Sequence, residues 1–117
     1  FNSSDVGATF SNYTDIPKGN CTALLHAVGT VGPVSVAVNA NGIMNYQTGI
    51  YSDESCDPTA LDHGVLVVGY GQTTAGKKFW IVKNSWNTTW GQDGYIYWDR
   101  DIDNMCGICN AASYPVV

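Results

Sequence analysis

A histidine and an asparagine, each at the edge of an apolar segment, are the residues of this sequence best suited to chemistry. His63 comes just before the apolar residues 65–70, and Asn84 directly follows residues 79–83. A neutral imidazole can take a proton from a thiol or a hydroxyl, and a side-chain amide can accept the other ring N–H and fix the tautomer. The pair therefore predicts half of a catalytic apparatus, which still needs a nucleophile.

Two apolar segments joined by a turn-rich connection are expected to carry these side chains. Residues 65–70 form a continuous apolar run, which is typical of a strand buried on both faces. Residues 71–78 are expected to close an antiparallel hairpin onto residues 79–83, which can bring the two side chains together. Trp86 follows closely, and we expect it to lie over the His–Asn hydrogen bond, exclude water and strengthen that bond.

The rest of the chain predicts one short helix, further strands and a long loop. Together they predict an α+β fold, in which a mainly antiparallel sheet curls into a barrel with one or two small helices. The predicted elements are a helix over residues 21–28 with Asn20 as N-cap, strands over residues 34–38, 95–98 and 113–117, and a loop over residues 39–58 with a helical turn near residues 44–46.

Composition and charge limit the kind of protein and its partners. The chain has 117 residues, enough for one domain, of which 44% are hydrophobic and 13% charged. A net charge of −5 with five Lys and Arg residues disfavours nucleic acid and anionic membranes as partners. No apolar run approaches the roughly 20 residues that span a bilayer. The polar start lacks the basic region of a signal peptide, so we expect any targeting segment to lie upstream or to have been removed.

Two features point to the secretory route. Four Asn-X-Ser/Thr triplets occur, and such glycosylation acceptors matter only for exported chains, although chance also produces some. The four cysteines permit three pairings if all are oxidised. The acceptor asparagines are Asn2, Asn12, Asn20 and Asn87, and the cysteines are Cys21, Cys56, Cys106 and Cys109.

Four blocks of sequence resemble the papain family of cysteine proteases, and within it the cathepsin L-like branch. The resemblance runs from Val6-Gly7-Ala8 to Ala112-Ser113-Tyr114-Pro115. It implies a papain-like fold of a helical lobe and a β-barrel lobe with the active site between them, and residues 1–117 resemble the barrel lobe alone. The blocks are Thr30-Val31-Gly32-Pro33-Val34-Ser35-Val36-Ala37, Leu61-Asp62-His63-Gly64, Lys83-Asn84-Ser85-Trp86, and Trp90-Gly91 with Gly94-Tyr95.

The family's nucleophile is missing from this sequence. Its cysteine lies about 130–150 residues before the histidine, in a Cys-Gly-[Ser/Ala]-Cys-[Trp/Tyr] signature that does not occur here. The resemblance implies a helical-lobe chain that carries this cysteine upstream of Phe1. We expect a cleaved two-chain enzyme rather than an isolated fragment, because a barrel lobe alone would expose apolar surface.

The resemblance also implies the chemistry. His63 would form a thiolate–imidazolium pair with that cysteine and then protonate the leaving amine, while Asn84 would orient the ring. The oxyanion hole would use a backbone N–H at the cysteine and a glutamine of the helical lobe. The implied protein is a lysosomal or secreted cysteine endopeptidase that cleaves peptides and proteins, needs no metal or other cofactor, and has a prosegment or cystatin-type proteins as inhibitors.

Substrate contacts follow from the same resemblance. Positions matching the S2 subsite, which receives the second residue on the acyl side of the cleaved bond, are all small or apolar, so Leu or Phe should fit. Asp62 and Trp90 match the leaving-group side, and ordinary packing is their alternative interpretation; Trp86 is also expected to contact substrate. The S2 positions are Ala37, Leu61, Gly64 and Ala111, the last standing where cathepsin B-like relatives carry a carboxylate that favours Arg.

Asn87 departs from the family pattern, because a glycine usually follows Asn-Ser-Trp. Asparagine is the residue other than glycine that best tolerates a positive φ, so the turn can survive. A glycan on Asn87 would crowd the leaving-group side of the cleft.

The cysteines are a second departure. Cys56 and Cys106 match the family's barrel-lobe disulfide, which leaves Cys21 and Cys109 for an additional bridge between the helix and the carboxyl-terminal segment. The spacing in Cys106-Gly107-Ile108-Cys109 also resembles a redox dithiol or half of a zinc site, although a strand-to-helix context and a second ligand pair are missing.

Two other functions remain open from the sequence. A silicatein-like relative would use Ser in place of the cysteine, with the same histidine assisting mineral polymerisation. A catalytically inactive homologue would serve in binding or storage, which the presence of His63, Asn84, Trp86 and Trp90 together disfavours. The residue at the upstream nucleophile position would separate these alternatives.

Overall fold

The structure, a computed structural model, describes residues 12–44, 46–86 and 89–116, and the structural statements below concern those residues. They form one α-helix, seven β-strands and a short 3-10 turn over Met105–Gly107. No helix in these ranges is long and apolar enough to cross a membrane. The elements are β1 Asn12–Asp15, α1 Cys21–Thr30, β2 Val34–Val38, β3 Ile50–Tyr51, β4 His63–Gln72, β5 Lys78–Lys83, β6 Tyr95–Asp99 and β7 Ala112–Val116.

The seven strands form a single open sheet in the order β1-β7-β2-β4-β5-β6-β3. All neighbours are antiparallel except β3 and β6, which are parallel. The α+β class is confirmed, but the expected closed barrel is wrong, because β1 and β3 lie at opposite ends of the order and do not pair with each other. Closure would need a further ladder between these edges, and β3 is only two residues long.

The predicted helix and hairpin are present. Asn20 caps α1, since its Oδ1 accepts the backbone N–H of Ala23 at 2.9 Å, and the helix runs two residues beyond the predicted end. β4 and β5 pair from Leu66–Lys83 to Gln72–Lys78. β4 begins at His63 itself. Of the expected helical turn near residues 44–46, residue 45 lies outside the described residues; within them, the backbone N–H of Tyr46 donates to the carbonyl of Ile43.

The core lies between α1 and one face of the sheet. Trp80 and Trp98 are its largest fully buried side chains, and Leu24 brings the apolar face of α1 against β4 and β2. The indole N–H of Trp98 donates to the carbonyl of Met105 at 3.2 Å, so this buried polar group is satisfied. The core side chains thus pack between α1 and strands β2 and β4.

Two disulfides fix the segment that follows β6. Cys56 is bonded to Cys106, and Cys21 at the start of α1 is bonded to Cys109. The bridges link residues 50 and 88 positions apart, and each crosslink of this kind contributes about 2–4 kcal/mol to stability. Because Cys106 and Cys109 have different partners, they form neither a redox dithiol nor half of a zinc site.

A buried carboxylate ties the β4–β5 turn to β6. Asp99, 1% exposed, accepts hydrogen bonds from Ser52 Oγ at 2.7 Å, Lys77 Nζ at 2.9 Å and the backbone N–H of Asp101 at 2.8 Å. Burial by itself would raise the pKa of Asp99, but these hydrogen bonds outweigh it and hold the pKa below its ordinary value. The charged carboxylate is therefore the form that stabilises the fold.

Replacing Asp99 by Asn should lower the free energy of unfolding by about 2 kcal/mol near neutral pH, because the charge that pairs with Lys77 is lost. In the wild type this contribution is complete above the unfolded-state pKa of about 3.9 and is lost as the pH falls through the lower folded-state pKa. Urea denaturation at neutral and acid pH measures both effects. The variant should lose less stability on acidification than the wild type.

Asp101→Asn is the matched control for this prediction. Asp101 lies 3.6 Å from the same Lys77 Nζ but is 39% exposed, so its charge is screened and we expect a change below about 0.5 kcal/mol. Equal destabilisation by both substitutions would show that burial of the Asp99 carboxylate is not what matters.

Candidate active site

The β4–β5 hairpin brings His63 and Asn84 together at one edge of the sheet. The Nε2 atom of His63 lies 2.7 Å from Oδ1 of Asn84. His63 pairs with Val38 in β2, and the backbone N–H of Asn84 donates to the carbonyl of Gly94. Each residue is therefore fixed by backbone hydrogen bonds as well as by the contact between their side chains.

A β-bulge in β4 puts both side chains on the same face of the sheet. Gly69 pairs with Ile81, whereas Val67 pairs with the next residue of β5, Val82. Two steps along β4 therefore match one step along β5, and Val68 is the extra residue of the bulge. Because strand side chains alternate between faces, a regular ladder would place His63 on the face opposite to Asn84. The bulge reverses this, and the hydrogen bond becomes possible.

The orientation of the Asn84 amide determines the tautomer of the histidine. Oδ1 also accepts the backbone N–H of Ser85 at 2.8 Å, and a backbone N–H can only donate. The atom that faces it must therefore be the amide oxygen, and the same oxygen faces His63. Nε2 of His63 must consequently carry a proton, which leaves Nδ1 as the ring nitrogen that can accept one.

Two tryptophans pack in series beside the His63 ring. The Trp86 ring lies 5.1 Å from the His63 ring, centroid to centroid, and Trp90 packs edge-on against Trp86 at 5.2 Å. The indole N–H of Trp90 donates to the carbonyl of Ile43 at 3.1 Å, which fixes the outer ring. Asn84 is 3% exposed, so the bond lies in a low-dielectric environment where it is strengthened.

Nδ2 of Asn84 is buried and has no hydrogen-bond partner among the described residues. A buried donor without an acceptor costs about 1–3 kcal/mol. The amide is thus satisfied on its oxygen side, where it meets His63 and Ser85, and unsatisfied on its nitrogen side.

Three of the four residues expected at the S2 subsite are joined by backbone pairing. Ala37 pairs with Gly64 across β2 and β4, and the backbone N–H of Ala37 donates to the carbonyl of Ala111 at 3.2 Å. Leu61 packs close to Gly107, four residues before Ala111, since a Cβ built on Gly107 would lie 2.5 Å from Leu61 Cδ2. A Cβ added to Gly64 would meet no atom within 4 Å, so the missing side chain leaves open space there.

The structure gives Asp62 a backbone-supporting position. Its Oδ1 accepts the N–H of Ala40 at 3.0 Å, and its own N–H donates to the carbonyl of Val38 at 3.0 Å. These bonds hold the residue beside His63 and agree with the packing interpretation of Asp62. They leave one carboxylate oxygen without a described partner.

Met44 is a surface residue that the sequence did not single out. It is 72% exposed and, with Tyr46 and Trp90, lines a cavity of about 660 Å³ on the tryptophan side of the site. Its only sequence signal is a large apolar residue in a polar loop. A larger cavity of about 780 Å³ lies between β1, α1 and β7, and neither His63 nor Asn84 lines it.

No thiol of this chain is available to the histidine, because the four cysteines of the sequence are all in disulfides. Within the described ranges no group of three or more metal-ligating side chains occurs. Of the glycosylation candidates, exposed Asn20 uses its side-chain oxygen in the helix cap. Asn2 and Asn87, and the side chain of Asn12, lie outside what the structure describes.

Known proteins are similar to this chain in sequence and in fold. The profile of the papain family of cysteine proteases matches residues 2–116. The whole chain is 50% identical to a cathepsin L-like peptidase of Aedes aegypti and to cathepsin L1 of Drosophila melanogaster, of which it covers 35% and 32%. The solved structure of digestive procathepsin L 3 from Tenebrio molitor larval midgut matches with a TM-score of 0.92 and 46% identity, over all of this chain and 38% of that one. The chain thus spans about a third of the length of these relatives.

We expect neutral His63 to carry its proton on Nε2. Nitrogen-15 NMR of histidine-labelled protein, about two pH units above the ordinary imidazole pKa, should show Nδ1 of His63 as a bare nitrogen. The exposed His26 provides the internal reference for a solvated imidazole. Asn84→Ala should move the His63 signals toward those of His26, whereas a wild-type proton on Nδ1 would contradict the assignment.

Proposed function

The chain belongs to the papain family of cysteine proteases, and we propose that it supplies the histidine and asparagine of a cysteine endopeptidase site. The observation that carries the proposal is the 2.7 Å contact between His63 Nε2 and Asn84 Oδ1. This contact occupies Nε2 and leaves Nδ1 as the proton acceptor. A base oriented in this way can activate a thiol for attack on a peptide carbonyl.

The nucleophile in this proposal is a cysteine outside these 117 residues. All four cysteines of the chain are in disulfides, and the chain spans about a third of the relatives it matches, which leaves room for a helical lobe elsewhere in the enzyme. That lobe, on a separate chain after cleavage, would also supply the oxyanion hole. In this proposal residues 1–117 form one lobe of the enzyme, the open-sheet lobe that carries His63 and Asn84.

The proposed reaction passes through His63 twice. Nδ1 takes the proton of the cysteine thiol, and the thiolate attacks the peptide carbonyl carbon to form a tetrahedral intermediate. The imidazolium then gives the proton to the departing amine, which leaves an acyl-enzyme thioester. Nδ1 next takes a proton from water, whose oxygen attacks the thioester carbon; the C–S bond breaks to release the acid, and the imidazolium returns its proton to the departing sulfur. Asn84 holds Nε2–H throughout.

The substrates we propose are peptides and proteins with a bulky apolar residue, such as Leu or Phe, in the S2 subsite. Ala37, Leu61, Gly64 and Ala111 give this subsite an uncharged lining with open space over Gly64. We further propose that Asp62 and Trp90 border the leaving-group side of the cleft and that Trp86 contacts substrate. The absence of a carboxylate at Ala111 argues against a preference for Arg.

A lysosomal or secreted location fits two disulfides, which persist in oxidising compartments. The match to a digestive procathepsin L supports a prosegment as a natural inhibitor, and we extend this to cystatin-type proteins. Occupancy of the acceptor asparagines by glycans belongs to the same proposal. No nucleic acid or membrane is invoked as a partner.

In the complete enzyme, with its helical lobe, His63→Ala should lower kcat/KM for a Leu-containing peptide amide by about 10³-fold. Asn84→Ala should cause a smaller loss, because it affects ring orientation and not the proton acceptor itself. His26→Ala is the matched control and should leave the rate unchanged, since His26 is exposed on α1.

Labelling with a thiol-directed epoxide distinguishes the competing functions in the same preparation. Stoichiometric labelling of the helical-lobe cysteine with peptide hydrolysis would support the endopeptidase. A serine at the nucleophile position without epoxide labelling would indicate the silicatein-like alternative. A folded two-lobe protein that neither hydrolyses peptides nor reacts would indicate an inactive binding homologue.

A further inference from the structure

Asn110 links the two parts of the chain that line the proposed S2 subsite. Its Nδ2 donates to the carbonyl of Pro58 at 2.8 Å, and its Oδ1 accepts from Asn104 Nδ2 at 2.9 Å. Pro58 lies in the loop that leads to Leu61, and Asn110 directly precedes Ala111. One side chain thus connects the loop before β4 with the segment before β7.

The same segment is held from the opposite side by the additional disulfide. Cys109 is bonded to Cys21, and its carbonyl accepts the backbone N–H of Gly19 at 2.9 Å. The backbone N–H of Cys109 donates to Oδ1 of Asn104 at 2.8 Å. Ala111 therefore follows a residue whose backbone is fixed at both its N–H and its carbonyl.

The loop side of the subsite is packed without spare room. A Cβ on Gly107 would overlap the carbonyl oxygen of Pro58 and Cδ2 of Leu61, so the backbone passes directly against both. Leu61 consequently packs against Gly107, and the hydrogen bond from Asn110 holds the carbonyl of Pro58 beside the same glycine. Cys56 and Asp57 are held by the bridge to Cys106 and by Asn39, so loss of the Asn110 bond would release the Pro58 carbonyl, the part of the loop that leads on to Leu61.

We propose that Asn110 is a positioning residue that, together with the Cys21–Cys109 bridge, sets the separation of Leu61 and Ala111 and thereby the side-chain selectivity of the S2 subsite. The inference rests on the proposed endopeptidase function. In this proposal neither Asn110 nor the Cys21–Cys109 bridge contacts the substrate. They act through the segments that carry Leu61 and Ala111. A wider subsite would accept larger apolar side chains relative to smaller ones, since packing complementarity is lost first for the smaller side chain.

The test compares peptide amides that differ only in Leu or Phe at the S2 position, using the complete two-lobe enzyme. Asn110→Asp keeps the size of the side chain and an acceptor for Asn104 but removes the donor to Pro58. We expect the Phe to Leu ratio of kcat/KM to rise at least threefold, through KM for the Leu peptide, with kcat within about twofold of wild type. This ratio does not depend on the fraction of folded enzyme, so a loss of stability alone would not change it.

Two further variants make the result interpretable. Thr59→Ala removes a hydrogen bond to Asp57 in the same loop without touching Asn110, and should keep the wild-type ratio. The double substitution Cys21→Ser with Cys109→Ser should raise the ratio in the same direction as Asn110→Asp. An active wild type whose ratio is unchanged in both Asn110→Asp and the double variant would overturn this inference alone. A wild type without hydrolysis would overturn the proposed function and the inference with it.

Discussion

The antiparallel pairing of β4 with β5, interrupted by one extra residue at Val68, is the constraint on which the site depends. These two strands are central in the sheet, and their ends carry His63 and Asn84. Without the bulge the ladder would be more regular, yet the imidazole and the amide would lie on opposite faces. The irregular pairing at Val68 is therefore what allows the hydrogen bond between His63 and Asn84 to form.

The amide of Asn84 joins the fold to the proposed chemistry. Its oxygen receives one N–H from the backbone and one from the imidazole, so the direction of the amide is set by the chain and passed on to the ring. Burial of Asn84 keeps water from competing for either bond. The acid–base group is thus prepared by main-chain geometry before any substrate or thiol arrives, which reduces the reorganisation that the reaction would require.

Much of this arrangement could be predicted from the sequence, because it rests on local signals. An apolar run, a turn-rich connection and a capping Asn20 predict the hairpin and α1, and both are present. The bulge was not predictable, since four successive apolar residues from Val65 suit either register. β1 and β3 were missed for a similar reason: β1 is polar, β3 has two residues, and each exists only because a partner strand lies beside it. The predicted barrel failed because closure depends on edge pairing that no local pattern encodes.

The two disulfides also bear on the order in which the protein can be assembled. Cys106 and Cys109 are made long after Cys21 and Cys56, with 88 and 50 positions between the bonded partners. Neither native bridge can form until the segment after β6 has been synthesised, so Cys21 and Cys56 wait for partners that come much later in the chain. Closing such long loops makes correct oxidation late and dependent on the return of the Cys106 and Cys109 segment to Cys56 and to the start of α1. The folding of distant parts of the chain onto one another therefore sets when each bridge closes, and a catalyst that reopens wrong pairs would raise the yield of folded protein.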